Sequence, residues 1–188
     1  MGAWRSTANF ALQIHSHLRS LSKTSWEQRV LKRIKLTQGK YAIVDDEDYD
    51  YLMAYAKKWF AMRHGNLWYA AGHRRNTGPG GQDRMHRVIL RTKPHEHVDH
   101  KNGNGLDNRR SNIRIASRAE NMWNRGKMPS NTSGFKGVRK VKNRWQTRIS
   151  INGNRLFLGS FLTKSTAAEA YDKAALRYHG SFAKLSTR

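Results

Sequence analysis

The 188-residue sequence predicts an α+β fold of small antiparallel sheets backed by short helices. Three observations carry that expectation. Polar and apolar residues alternate strictly along "RWQTRISI" (144–151), the period of a half-buried strand. Asn-Gly pairs at 102–103, 104–105 and 152–153 impose tight turns of the kind that join neighbouring strands. The alanine-rich "TKSTAAEAYDKAALRYHG" (163–180) has the composition of a helix closed by its final glycine.

Taken in order, residues 1–33 are basic, with Glu27 their one acid, and read as a poorly ordered extension. Phe10, Ile14, Leu18 and Leu21 fall at the spacing of a short amphipathic helix within it, too brief and interrupted for a secretory signal. Order is expected from about Ile34. "KYAIV" (40–44) reads as a strand and 45–60 as a helix, with acids in its first turn and Leu52, Ala56 and Trp59 as its buried stripe. The acid cluster at 45–50 reads as helix capping and a solvated face rather than a metal site. "LWYAAGH" (67–73) and "MHRVIL" (85–90) read as strands, and 116–126 as a short helix. The segment 127–134, "KMPSNTSG", has linker composition. Beyond it, "RWQTRISI" and "RLFLGSF" (155–161) form a hairpin, followed by the 163–180 helix with Thr166 and Glu169 as its capping box.

The charge narrows the partner. A formal +23 divides into +7 over 1–40, −1 over 41–83, +7 over 84–128 and +10 over 129–188. Such a surface attracts polyanions, and counterion release from nucleic acid supplies sequence-independent affinity. No apolar run is long enough to span a membrane, so a cytoplasmic protein is expected. Cysteine is absent, which rules out disulfides and thiolate-zinc sites.

The stretch "VDHKNGNGLDNRRSNIR" (98–114) carries the chemistry. A metal-dependent phosphodiesterase needs a base for water, a hard cation on oxygen ligands, and cationic groups around the phosphate. His100 is suited to be the base, since a neutral imidazole accepts a proton near neutral pH. Asp99 offers an anionic ligand at the adjoining position. Asn112 follows on the strand returning from the turn, and Asn121 on the next helix, so strand, turn, strand and helix converge.

"VDHKNGNGLDNRRSNIRIASRAENMWN" (98–124) resembles the phage and intron-encoded HNH endonucleases, whose site is a ββα-metal (His-Me finger) arrangement. The resemblance implies that His100 is the general base and that Asn112 orients it. It implies Asp99 and Asn121 as ligands of Mg²⁺ or Mn²⁺, and Arg109, Arg110 and Arg114 at the DNA backbone. On this reading the nuclease unit spans 34–126.

Residues 135–188 resemble a second family, the Apetala and ethylene-response-factor DNA-binding domain. The match rests on "GFKGVR" (134–139), "LGSF" (158–161) and "AAEAYDKAALRYHG" (167–180). The resemblance implies a three-stranded antiparallel sheet packed on one helix, with its outer face in the major groove of double-stranded DNA. Lys136, Arg139, Arg148, Ser150, Arg155 and Phe157 occupy the reading positions. Arg148, Ser150 and Phe157 depart from the plant residues there, so groove binding is implied but not the plant target sequence. Two rivals remain: a DNA-binding regulator with an inactive core, and an RNA-binding structural protein. The narrow major groove of RNA disfavours the second. No obligate protein partner is indicated, and monomer and dimer both stay open.

Overall fold

The computed structural model describes residues 30–75 and 81–186. The amphipathic segment around Phe10 to Leu21 lies outside them. Strands β1 (Leu31–Lys35) and β2 (Tyr41–Asp45) pair antiparallel and lead into helix α1 (Asp46–Tyr55). Strands β3 (Ala56–His64), β4 (Leu67–Arg74) and β5 (Gln82–Arg84) form a three-stranded antiparallel sheet, followed by helix α2 (Met85–Leu90). Strands β6 (His97–His100) and β7 (Ile113–Ala116) form a hairpin with helix α3 (Arg118–Asn124) behind it. Strands β8 (Val138–Val141), β9 (Arg144–Ile151) and β10 (Asn154–Phe161) form the last sheet. Helix α4 (Lys164–His179) and a 3₁₀ turn (Gly180–Phe182) complete the chain. The architecture is mixed α+β with small antiparallel sheets.

Two expected elements change type. The helix expected over 45–60 ends at Tyr55, and Ala56–His64 is a strand. The cause is cross-strand pairing: His64 faces Leu67 across a Gly65–Asn66 turn, and β3 is then held along β4. Leu52, Ala56 and Trp59 are all buried as expected, yet from two elements, with the Trp59 indole N–H donating to Leu52 O at 3.0 Å. "MHRVIL" is a helix, not a strand. Met85, His86, Val88 and Ile89 are its buried residues, an i, i+1, i+3, i+4 set that matches one helical face. A smaller correction concerns α4. Its N-cap is Thr163, whose hydroxyl accepts from Thr166 N at 3.2 Å, in place of a box on Thr166 and Glu169.

One core gathers Ile34, Val44, Leu52, Trp59, Met85, Ile89 and Ile113. Separate clusters form under the last sheet, around Ile149 with Tyr171 and around Val138 with Ala167 and Ala168. Inner-face Thr147 donates to Ala167 O at 2.9 Å, drawing α4 onto β9. Gly137 (φ +73°) lies so close to the Tyr171 ring and Arg148 O that a Cβ there would collide with both. The segment 127–134 has no helix or strand, but Ser133 is buried against Val138 O (2.8 Å), so its end is tied to the following sheet.

The two regions touch. The Trp123 ring on α3 stacks on His179 at the end of α4, with centroids 4.5 Å apart and planes 8° from parallel. Lys136 Nζ donates to Trp123 O. Arg114 Nη1 donates to Ser181 O at 2.9 Å, and its guanidinium lies 3.6 Å from the Phe182 ring centroid.

Candidate active site

The β6–β7 register sets His100 opposite Ile113 and Asp99 opposite Arg114. Between the strands, residues 101–112 fold on their own amides. Asn102 Oδ1 accepts from Asn104 N (2.8 Å), Asn104 Oδ1 accepts from Leu106 N (3.1 Å), and Gly103 takes φ +77°. The loop is then fastened to β2, with Ile43 N donating to Leu106 O (2.9 Å) and Asn108 N to Ile43 O (2.8 Å). Gly105 lies against Trp68 O and the Tyr69 ring, where a Cβ has no room.

His100 is 6% exposed, and burial holds its imidazole below the usual range. The Asn108 hydrogen bond and the Asp99 and Asp107 carboxylates pull the other way. Its Nε2 lies 3.3 Å from Asn108 Oδ1. Asn108 Nδ2 donates to Leu106 O (3.2 Å), which leaves the amide oxygen facing the ring. That oxygen only accepts, so Nε2 carries the proton and Nδ1 keeps the free lone pair. His86 packs edge-on against the ring at 4.9 Å and 87°, and Tyr69 lies 5.9 Å away. Burial pushes His86 down to about 2, and its buried Nδ1 has no hydrogen-bond partner among the described residues. Two neutral imidazoles therefore lie side by side.

Asp99 is 4% exposed. Its Oδ2 takes Arg114 Nε (2.8 Å) and Nη2 (2.7 Å), and its Oδ1 takes Asn124 Nδ2 (2.8 Å). Asn124 also donates to His100 O (2.9 Å), so this residue of α3, and not Asn121, touches the Asp99–His100 pair directly. Asn121 Nδ2 donates to Val98 O at 3.3 Å. Among the described residues nothing donates to its Oδ1, which leaves a carbonyl oxygen available as a ligand. Asp99 on β6 and Asn121 on α3 thus offer one carboxylate and one open carboxamide, oxygen donors of the kind that would suit a hard divalent cation. A second acid group (Asp45, Glu47 and Asp48, with ligand oxygens within 4.8 Å of one another) is engaged with Arg110 instead.

The hydrogen bonds of the Asn112 side chain are made to Asn102 and Asp107. Its Oδ1 accepts from Asn102 N (3.0 Å), and its Nδ2 donates to Asn102 Oδ1 (3.0 Å) and Asp107 O (2.7 Å), so it closes the loop beneath the ring. The three arginines expected at the DNA backbone each have a carboxylate partner. Arg109 grips Asp107 through Nε (2.7 Å) and Nη2 (2.6 Å), Arg110 grips Asp48 through Nε (2.9 Å) and Nη2 (2.6 Å), and Arg114 grips Asp99. Asp48, Asp99 and Asp107 are all buried, and a buried carboxylate needs such a partner more than a surface arginine needs a phosphate.

On the last sheet, Arg139, Arg148, Ser150, Arg155 and Phe157 are exposed on the face away from α4. Ser150 faces Arg155 and Arg148 faces Phe157 across the β9–β10 ladder, with the Arg148 guanidinium 5.8 Å from the Phe157 ring. Lys136 leaves this set: it is half-buried against α3, and burial lowers its ammonium to about 8. Asn108, Asn124 and His86 form part of the site without having been assigned to it from the sequence. Asn108 and Asn124 sit inside the quoted motif, so the signal was there but not the means of ranking its asparagines.

Comparison with known proteins bears on the same stretch of chain. A family model described as HNH endonuclease matches residues 83–123, and the chain belongs to the HNH endonuclease family, which places it among the nucleases. Protein 3.8 of Escherichia phage T7 is 33% identical over 91 residues, which are 47% of this chain and 74% of that protein. An uncharacterized HNH endonuclease of Acanthamoeba polyphaga mimivirus is 34% identical over 88 residues, 46% of this chain and 45% of its own length. The Arabidopsis thaliana ethylene-responsive transcription factor ERF084 is 49% identical over 63 residues, 32% of this chain and 25% of the factor. No solved structure matches significantly. Among the described residues, no helix is long and apolar enough to cross a membrane.

Proposed function

We propose that the protein is a metal-dependent DNA endonuclease of the phage-borne or homing type, hydrolysing phosphodiester bonds and targeted by its C-terminal sheet. The observation that carries this reading is the buried His100 ring, held at Nε2 by Asn108 and adjoining the Asp99 carboxylate. His100 accepts the proton of the attacking water at Nδ1, the nitrogen that Asn108 leaves free. Asp99 and Asn121 hold Mg²⁺ or Mn²⁺, which when bound supplies charge neutralisation at the scissile phosphate. Asn124 fixes the Asp99 carboxylate, and Asn112 fixes the loop that carries Asn108. Arg139, Arg148 and Arg155, with Ser150 and Phe157, face the major groove of double-stranded DNA. The site of action is the cytoplasm of a bacterial or phage-infected cell.

Nicking of supercoiled plasmid tests the proposal. Cleavage is expected with Mg²⁺ or Mn²⁺, to stop in excess chelator and to return when either ion is restored. His100→Ala is expected to lower the rate by about 10²–10⁴-fold while DNA affinity stays within a few-fold. Full activity in chelator, or near-normal turnover by His100→Ala, would falsify it. A folded, DNA-binding chain with no cleavage under any condition would favour the inactive regulator.

A further inference from the structure

We infer that docking of the C-terminal sheet and helix sets the geometry of the Asp99 carboxylate, with Arg114 as the positioning residue that joins the two. The inference rests on Asp99 acting as a metal ligand.

Both protein groups that hold the Asp99 carboxylate are themselves held by the C-terminal region. On Oδ2 the partner is Arg114, whose Nε and Nη2 reach Asp99 while Nη1 donates to Ser181 O (2.9 Å). The same guanidinium sits over the Phe182 ring, with Cζ 3.6 Å from the centroid, and the Arg114 side chain is only 15% exposed. On Oδ1 the partner is Asn124, and the residue before it, Trp123, is clamped from two directions. Its ring stacks on His179, and its carbonyl accepts from Lys136 Nζ. His179 is fixed in turn by the contact of its Nε2 with Ser150 O at 2.9 Å.

A planar guanidinium with five donors can satisfy a carboxylate, a carbonyl and an aromatic face at once, which no lysine can do. Taking away the 3₁₀ turn releases one side of that arrangement. Arg114 then regains rotamer freedom, and Asp99 loses a fixed direction for its one remaining lone pair, on Oδ1. The clamp on Trp123 acts in the same sense through α3. Residues outside a ligand's immediate contacts commonly change metal affinity by orienting it, and here those residues are gripped by a region remote in sequence.

The test measures Mn²⁺ binding to the full-length, DNA-free chain by the loss of the free-ion electron spin resonance signal. Three variants are compared with the parent: Phe182→Ala with His179→Ala, Arg114→Lys, and the milder Phe182→Leu. The first two are expected to raise the Mn²⁺ dissociation constant by about 10-fold. Phe182→Leu, which keeps apolar cover and removes only the ring face, is expected to give a smaller shift in the same direction. Combining Arg114→Lys with Phe182→Leu is expected to add little beyond Arg114→Lys alone, because both act through one contact. Trypsin cleavage after Arg125 or Lys127 is expected to rise in the Phe182→Ala, His179→Ala variant, reporting the opened dock. Parent-like Mn²⁺ affinity in all the variants overturns the coupling and leaves the nuclease reading intact. A parent chain that holds no Mn²⁺ overturns the coupling as well, while the nuclease reading stands or falls separately on the nicking assay in chelator.

Discussion

Replacing Asn108 by Asp places a negative charge 3.3 Å from the nitrogen that anchors the proposed base. The parent imidazole sits below its ordinary range because burial outweighs the groups that favour its protonation. An opposite charge within hydrogen-bond distance typically raises a histidine by about 1–3 units. A base must be neutral to work, so the acid limb of the pH–rate profile moves upward by the same amount. Each unit costs about tenfold in rate at any pH below both limbs. The assay is single-turnover nicking of supercoiled plasmid from about pH 5 to pH 9, since the parent limb is expected below the ordinary histidine value near 6.5. Asn108→Ala serves as the uncharged control. It releases the ring without adding charge, so its rate should fall by about 10–100-fold at every pH with no upward shift of the limb. Near-ultraviolet circular dichroism establishes that both variants are folded, because Asn108 is fully buried. Superposable profiles for Asn108→Asp and the parent would refute the assignment of His100 as the base held by Asn108.

Acid lability should trace partly to His86. Its folded value of about 2 lies far below that of the unfolded chain, so the unfolded state binds the extra proton as pH falls through about 6.5. Stability is then lost on acidification, by about 2 kcal/mol from His86 alone between about pH 7.5 and 5.0. Urea denaturation of His86→Phe should show that part of the slope gone; an unchanged slope rules the residue out as its source. Arg110→Ala leaves the buried Asp48 without its bidentate partner and should destabilise by about 1–3 kcal/mol. DNA affinity should barely change, and a large drop in affinity without a drop in stability would return Arg110 to the DNA surface. Arg148→Ala with Arg155→Ala should do the opposite, leaving stability intact while costing about 1–3 kcal/mol of base discrimination for each arginine lost. Filter binding to a preferred and a random-sequence duplex decides it, since an unchanged ratio of the two affinities removes the arginines from base reading.

What was legible from the sequence is what depends on neighbours in the chain. Asn-Gly turns, strict alternation along β9 and the ordered motif from Val98 to Asn124 all act locally, and the hairpins and α3 follow from them. Segments 45–60 and 85–90 were misread because their outcome rests on partners elsewhere: β3 exists as a strand only against β4, and α2 is helical because four of its residues enter one core. The asparagines divided in the same way. Asn121 and Asn124 are three apart on one helix, so composition cannot decide which meets Asp99 and which keeps an open oxygen. Asn108 and Asn112 share a loop whose path is set by Ile43, more than sixty residues earlier, and that path brings Asn108 to His100. The pairing of Arg110 with Asp48 is equally hidden, because the two lie 62 positions apart.

The stack of Trp123 on His179 has a bearing on how such a chain could diversify. The docking contacts (Lys136, His179, Ser181 and Phe182) lie apart from the outward set of Arg139, Arg148, Arg155 and Phe157. Substitutions on the outward strands can therefore accumulate without loosening the joint. A donor sheet that keeps the joint's four contacts is interchangeable with this one, as a tool head is on a common shank. The shank also fixes an offset. On the proposed reading, with the two regions in aromatic and guanidinium contact and not on a free tether, a position selected by the outer strands would stand at a set distance along the duplex from the phosphate served by His100. Lengthening the segment 127–134 would leave that distance unchanged for as long as the ring stack holds.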